Sequence, residues 1–260
     1  MKENPQSFFD FHIHSSRSPD GSSTPRQIVQ AAAGRGLTGF ALTDHDTMAA
    51  FPEVEELAKD SGLLAISGAE ITSTYTPRFF EFPGMKSLRI PRQTIRLPSI
   101  AHLLVMGIPH EEDLPKWWRF PSPSKVAEWA HNFENGIVIA AHPKKNGGAS
   151  SLNKTEVFNL AKDGHLDGLE VANPLGVNHD VERWADELGL AKIGNSDSHE
   201  PDTIGTVRTV FPGELRTVEE VVAAIRERKA EPYITTVFER HKEELTIRKK
   251  VWEWTCKNVL

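Results

Sequence analysis

Cysteine is almost missing from this chain of 260 residues: Cys256 stands alone, so no intrachain disulfide can form and no thiolate cage can hold a metal. Any metal has to be held by nitrogen and oxygen. No apolar run approaches the roughly 18 residues needed to span a bilayer, so no membrane association is expected. The opening residues MKENPQS lack the apolar stretch of a secretory signal, which makes a cytoplasmic location the expectation. Repeats, low-complexity tracts and domain linkers are missing too. The net charge of −6 suits a nonspecific nucleic-acid binder poorly, although a local basic patch can override it. What remains, with 38% hydrophobic and 25% charged residues, is the composition of a globular protein. Its length suits one α/β barrel, read as a single domain over residues 1–260.

Against these absences, the placement of histidine is informative. In FFDFHIHSSRSPDG, residues 8 to 21, period-2 alternation puts Phe9, Phe11 and Ile13 on one side of an extended strand and Asp10, His12 and His14 on the other. Two imidazoles facing the same way, with Cα atoms about 6.5 to 7 Å apart, can converge on one ion. An isolated His-x-His is as compatible with an ordinary half-exposed strand, so the rest of the chain decides.

Strands and helices alternate after that point. Thr24 and Pro25 open a helix that Gly34 or Gly36 ends, and TGFALT follows as a buried strand. A helix over 47–61, starting late at Pro52, precedes strand GLLAIS. Later come helices at about 123–135, 154–163 and 178–188, with strands GIVIAA, LDGLEVA and AKIGNS. Such a βα series predicts a parallel barrel whose active site lies at the C-terminal strand ends. Those ends carry Asp44-His45-Asp46, Gly68-Ala69-Glu70, His142-Pro143 and Asp197-Ser198-His199. Any one of these could cap a helix or pair with a cation; their recurrence after strand upon strand points to a metal site.

With these residues in view, the sequence resembles the PHP family, the phosphoesterases named for polymerase and histidinol phosphatase. The matching segments are DFHIHSSRSPDG, TDHDT, GAEIT, AHP and NSDSH, in order from residue 10 to 199. The resemblance implies an α/β fold, a distorted (β/α)7 TIM-like barrel of PHP type, holding two to three divalent ions. His12, His14, Glu70 and Asp197 resemble the ligands of a first ion; Glu70 would bridge to a second with His102 and His142; Asp20, His45 and His199 would hold a third. Imidazole and carboxylate suit zinc, manganese or iron. A bridging carboxylate holds two ions about 3.5 to 4 Å apart, where a shared water loses its proton near neutral pH and can attack phosphorus. Asp46, His199 and His179 are candidates to protonate the leaving group. Arg17, between His14 and Asp20, is the best-placed phosphate contact, with Lys144 and Lys145 less so. Asn173 and Glu170 are candidates to line the pocket.

The expected reaction is therefore metal-dependent hydrolysis of phosphomonoesters or small phosphodiesters, with a phosphorylated small molecule, nucleotide or short oligonucleotide as substrate. Residues 76–99 form a loop or hairpin arm carrying Arg78, Lys86, Arg89, Arg92 and Arg96 against Glu81, suited to attracting an anion. Trp117 and Trp118 could stack on a base. Some nucleotide-directed family members carry a large helical insertion before the histidine-proline motif. Only 40 positions separate His102 from His142 here, which counts against a nucleotide-specific member. A C-terminal helix at about 238–258 would cover the barrel or a second subunit, making a homo-oligomer an option. The alternatives are a metal-dependent amidohydrolase, and a noncatalytic metal-containing protein that binds phosphate or nucleic acid.

Overall fold

The computed structural model describes residues 5–82, 93–110, 114–115, 120–143 and 151–235, with backbone alone at 75–82 and 93–99. Trp117, Trp118, Lys144, Lys145, the tip of the basic arm and the C-terminal segment lie outside the described residues.

Local sequence chemistry sets the helices. α1 (Pro25–Gly34), α4 (Lys154–Lys162) and α6 (Val218–Arg226) each begin with a reciprocal capping box, Thr24 with Gln27, Asn153 with Glu156 and Thr217 with Glu220, which satisfies backbone donors that the first turn leaves open. Ser122 and Asn178 cap α3 (Pro123–Ala130) and α5 (His179–Leu188). α2 (Phe51–Asp60) has no side-chain cap and starts at the Pro52 turn, as the proline predicts.

The strands are β1 (Gln6–Asp10), β2 (Gly39–Leu42), β3 (Leu64–Phe82), β4 (Gln93–Met106), β5 (Ile137–Ala140), β6 (Gly168–Asn173), β7 (Gly176–Val177), β8 (Ala191–Gly194), β9 (Val207–Pro212) and β10 (Glu231–Ile234). They form one sheet in the order β10-β9-β1-β2-β3-β4-β5-β6-β7, with β8 beside β6. The sheet curls towards closure past β8, where His14 N–H donates to Ser198 O at 2.8 Å and Ser198 N–H to His12 O at 3.0 Å. The result is the expected distorted barrel.

The distortion has a local cause. β3 and β4 pair as the two arms of a hairpin, and β4 runs antiparallel to both β3 and β5. The outer part of this hairpin is the basic arm, whose paired backbone runs from Arg78↔Leu97 to Phe82↔Gln93 beyond a register shift at Tyr75/Arg78. β9, α6 and β10 were not anticipated, although VRTVFP alternates buried and half-buried residues as a strand should.

Inside the barrel, Phe9 and Phe11 stack at 5.5 Å and both meet the Phe211 ring edge-on. With Ile66, Leu104, Ile139 and Ile193 they form one core, against which Val221 and Ile225 of α6 pack. Each such side chain contributes about 1.5–3 kcal/mol by leaving water. Outer cores lie between strands and helices, α1 and α2 on one side, α3, α4 and α5 on the other. The alternation read through Phe9, Phe11 and Ile13 holds only in part: β1 ends at Asp10, and Ile13 joins the α1–α2 core. No helix among the described residues is long and apolar enough to cross a membrane.

Candidate metal centre

At one end of the barrel, His12 and His14 follow β1, Asp44 and His45 follow β2, His142 follows β5, and Asp197 and His199 follow β8, while Glu70 lies within β3. His102 reaches the same level from within antiparallel β4, where it pairs with Thr72. Three of these strand-end residues, Asp46, His142 and Asp197, have positive φ values of 52°, 29° and 47°. A positive φ costs a non-glycine residue about 1–3 kcal/mol and persists where the surroundings over-determine it.

Glu70 is the hub. It is 1% exposed, and its Oε2 lies 3.1 Å from His12 Nε2, 3.2 Å from His14 Nε2 and 3.3 Å from His45 Nδ1. Its Oε1 lies 2.8 Å from His102 Nδ1 and 3.2 Å from His142 Nε2. Asp197 Oδ1 stands 3.4 Å from His12 Nε2 and 3.7 Å from His14 Nε2. On the outer side, Asp20 Oδ2 lies 3.2 Å from His45 Nε2 and 3.0 Å from His199 Nε2. Among the described residues, three overlapping groups have the size to hold an ion: His12, His14 and Glu70; His45, Glu70 and His102; and His14, Asp20, His45 and His199.

The tautomers show why cations suit this arrangement. His12 has Glu170 Oε2 3.0 Å from Nδ1 and Glu70 near Nε2, so a neutral ring must aim a lone pair at one carboxylate. Ser18 Oγ donates to Asp20 Oδ1 and so accepts from His14 Nδ1–H at 3.2 Å, which turns the Nε2 lone pair of His14 towards Glu70. His199 donates Nδ1–H to Asp197 O at 2.9 Å, which leaves its Nε2 lone pair facing Asp20. A proton or a metal ion resolves each of these contacts. The buried His12 Nε2, His14 Nε2, His102 Nδ1 and His142 Nδ1 have no hydrogen-bond partner among the described residues. These residues fit divalent ions.

The same contacts set protonation in the metal-free protein. Burial disfavours charge on His12, but Glu70, Asp197 and Glu170 outweigh it and raise its pKa well above the usual value. Burial likewise opposes ionisation of Glu70, yet the surrounding imidazoles hold its pKa well below the carboxylate range. Asp197 is lowered in the same way, chiefly by His12 and His14 against the effect of burial.

The other sequence candidates are placed differently. The Asp46 carboxylate accepts from Thr72 N–H at 2.8 Å, and Arg17 is exposed on the loop between His14 and Asp20. His179 stands at the start of α5, its Nδ1 3.0 Å from Glu182. Three supporting residues were missed or under-read. Ser18 is buried and also accepts from His45 N–H at 3.2 Å. Asp44 accepts from both the backbone and the hydroxyl of Ser15, fixing the loop after His14. Asp10 accepts backbone N–H groups from Ser196 at 3.0 Å and Gly205 at 2.7 Å, although burial pushes its pKa up to about 6. Asp10 alternates with His12 and His14 in the sequence, which was a usable signal; Ser18 had none.

A barrel with histidines and carboxylates gathered at one end defines a class of candidate metal-binding barrels, and likeness to known proteins narrows it. Residues 10–171 match the PHP domain family, and residues 177–230 match the PHP-associated family PHP_C. The chain belongs to the PHP family. It is 36% identical over 250 residues to a 5'-3' exoribonuclease of Haemophilus influenzae, covering 74% of this chain and 90% of the relative. A 64-residue stretch is 39% identical to a phosphoribosyl 1,2-cyclic phosphate 1,2-diphosphodiesterase of Eggerthella lenta, covering 25% of this chain and 24% of the relative. Among solved structures, a two-domain protein from Bacteroides vulgatus containing a predicted PHP-like metal-dependent phosphoesterase superposes with a TM-score of 0.67 at 20% identity, covering 90% of this chain and 66% of that one. At that identity the likeness speaks for the fold.

Proposed function

We propose that this chain is a metal-dependent phosphoesterase that hydrolyses phosphoester bonds of nucleotides or short oligonucleotides. The observation that carries the reading is Glu70, a buried carboxylate within 3.3 Å of five imidazoles, three of whose facing nitrogens, His12 Nε2, His14 Nε2 and His102 Nδ1, make no well-directed hydrogen bond to it. In this reading His12, His14, Glu70 and Asp197 hold one ion, Glu70, His102 and His142 a second, and Asp20, His45 and His199 a third. Zinc, manganese and iron all match the donor set. Bound ions would supply an acidified water and neutralise charge on the phosphoryl oxygens.

The chain's own residues do the rest. Glu170 and Ser18 orient His12 and His14 through their Nδ1 atoms. Arg17, exposed on the loop between His14 and Asp20, would contact a nonbridging phosphoryl oxygen, where a guanidinium offers paired donors. With the third ion bound, His199 is a ligand and Asp46 is the candidate to protonate the leaving oxygen; with that ion absent, His199, partly exposed and beside Asp20, would take the role. The relative named as a 5'-3' exoribonuclease supports a nucleotide or oligonucleotide substrate, in spite of the short spacing between His102 and His142.

The test is phosphate and nucleotide release from a panel of sugar phosphates, mononucleotides and short oligoribonucleotides. The protein is stripped of metal and then reconstituted separately with manganese, zinc and iron. Metal-restored release that Asp197→Ala abolishes is the expected result. No release from any substrate with any of the metals, in protein that has taken up metal, overturns the reading.

A further inference from the structure

Beside the metal centre, a cavity of about 420 Å³ opens between the β6–β7 hairpin and the start of α5, sharing His142 and Glu170 with the centre as its inner wall. That volume lies within the range of pockets that take small organic ligands. Its two outer sides differ in chemistry. The hairpin side presents Leu175, 72% exposed, and Val177, 37% exposed, two of the few large apolar side chains left in water among the described residues. The α5 side presents Asn178 and His179. Asn178 Oδ1 is committed to capping α5 through Val181 N–H, so its contribution to the cavity is the amide –NH2 donor. His179 Nδ1–H is turned to Glu182 Oε2 at 3.0 Å, so a neutral ring offers Nε2 as an acceptor.

The apolar side is held in a fixed relation to the metal centre. Leu175 N–H donates to Asn173 Oδ1 at 3.0 Å, Asn173 Nδ2 donates to Glu170 Oε1 at 3.1 Å, and Glu170 Oε2 meets His12 Nδ1 at 3.0 Å. Asn178 N–H donates to Val171 O at 2.7 Å, which anchors the far end of the hairpin. A displacement of the hairpin would therefore disturb the orientation of His12.

We infer that this cavity is a nucleobase subsite: the faces of a heterocyclic ring rest on Leu175 and Val177, and its edge meets the Asn178 donor and the His179 acceptor while the phosphoryl group lies at the metal centre. The inference rests on the phosphoesterase reading and adds the heterocycle to it. The faces of a base leave water against an apolar support while its edge pairs with a donor beside an acceptor; sugar hydroxyls match the polar pair but not the apolar support.

The experiment compares equilibrium binding of two phosphonate analogues, those of adenosine 5'-monophosphate and of ribose 5-phosphate, to metal-reconstituted protein. Their P–C bonds resist hydrolysis, and they differ at C1′, adenine in one and a hydroxyl in the other. The expected result is that the adenosine analogue binds at least about tenfold more tightly, and that Leu175→Ser with Val177→Ser removes most of that preference while leaving ribose analogue affinity unchanged. Both residues are exposed, so the variant should fold. Equal affinities in the wild type, or a preference retained in the double variant, overturns the subsite. Because the readout is binding, it stands whether or not any ester is cleaved, and failure of the phosphoesterase reading shows separately as no turnover of the ester substrates.

Discussion

Glu170 meets His12 Nδ1 at 3.0 Å while the opposite ring nitrogen points at Glu70. A carboxylate on one edge of a metal-facing imidazole fixes its tautomer and makes it a stronger ligand, and losing such a partner typically weakens metal affinity about 10–100-fold. Glu170→Gln is therefore expected to lower affinity for manganese or zinc by that factor, read by competition with a fluorescent chelator. Circular dichroism should show the fold retained. Unchanged affinity would remove Glu170 from the supporting role assigned to it.

A second expectation concerns pH and the metal-free protein. Glu70 is depressed well below 4.5, so its contribution to stability is complete above that value and is lost as pH falls through its folded pKa. His12 is raised well above 6.5, so its contribution is complete below 6.5 and is lost as pH rises through its folded pKa. Stripped protein should therefore be most stable between these two values, and Glu70→Gln should flatten both limbs. Metal competes with protons for the same atoms, so reconstitution should lift the alkaline limb most. Urea midpoints across pH, with and without metal, read this out; an alkaline limb that metal leaves unchanged would contradict it.

Gly21 offers a way to disturb one side of the centre. A Cβ built there would lie 2.1 Å from Ser15 O, which is backbone and cannot rotate away. Gly21→Ala must shift the loop that carries Asp20, while Glu70, His12 and Asp197 keep their supports. The expected outcome is partial loss of bound metal with the Glu70-centred part retained, measured as metal per chain after gel filtration. Full retention of metal would show that Asp20 is not a ligand.

Much of this was legible because strand ends repeat. His12, His14, His45, Glu70, His142 and Asp197 each follow or end an apolar run, and in a parallel barrel that places them at one mouth. His102 was harder, since β4 runs the other way and its ligand precedes the apolar run. That reversal follows from the β3–β4 hairpin; the basic stretch reads in sequence as a loop or hairpin arm, but nothing there shows its strands running on into the barrel. Ile13 was misread because β1 stops at Asp10, and the chain then turns to meet Ser198. Glu170 takes its role from a partner 158 residues away, a distance over which local pattern carries no information, while Ser18 orients His14 four residues away from a serine-rich stretch in which nothing singles it out.

The central claim is that Glu70 organises a metal centre that hydrolyses phosphoesters. Its most direct test is metal content and ester hydrolysis measured together on wild-type protein and on Glu70→Gln, with Asp197→Asn in parallel as a second ligand variant. The account predicts that both variants stay folded, lose bound metal and fall to background hydrolysis, while the wild type binds metal and turns over. Wild-type metal content and hydrolysis in Glu70→Gln would contradict it.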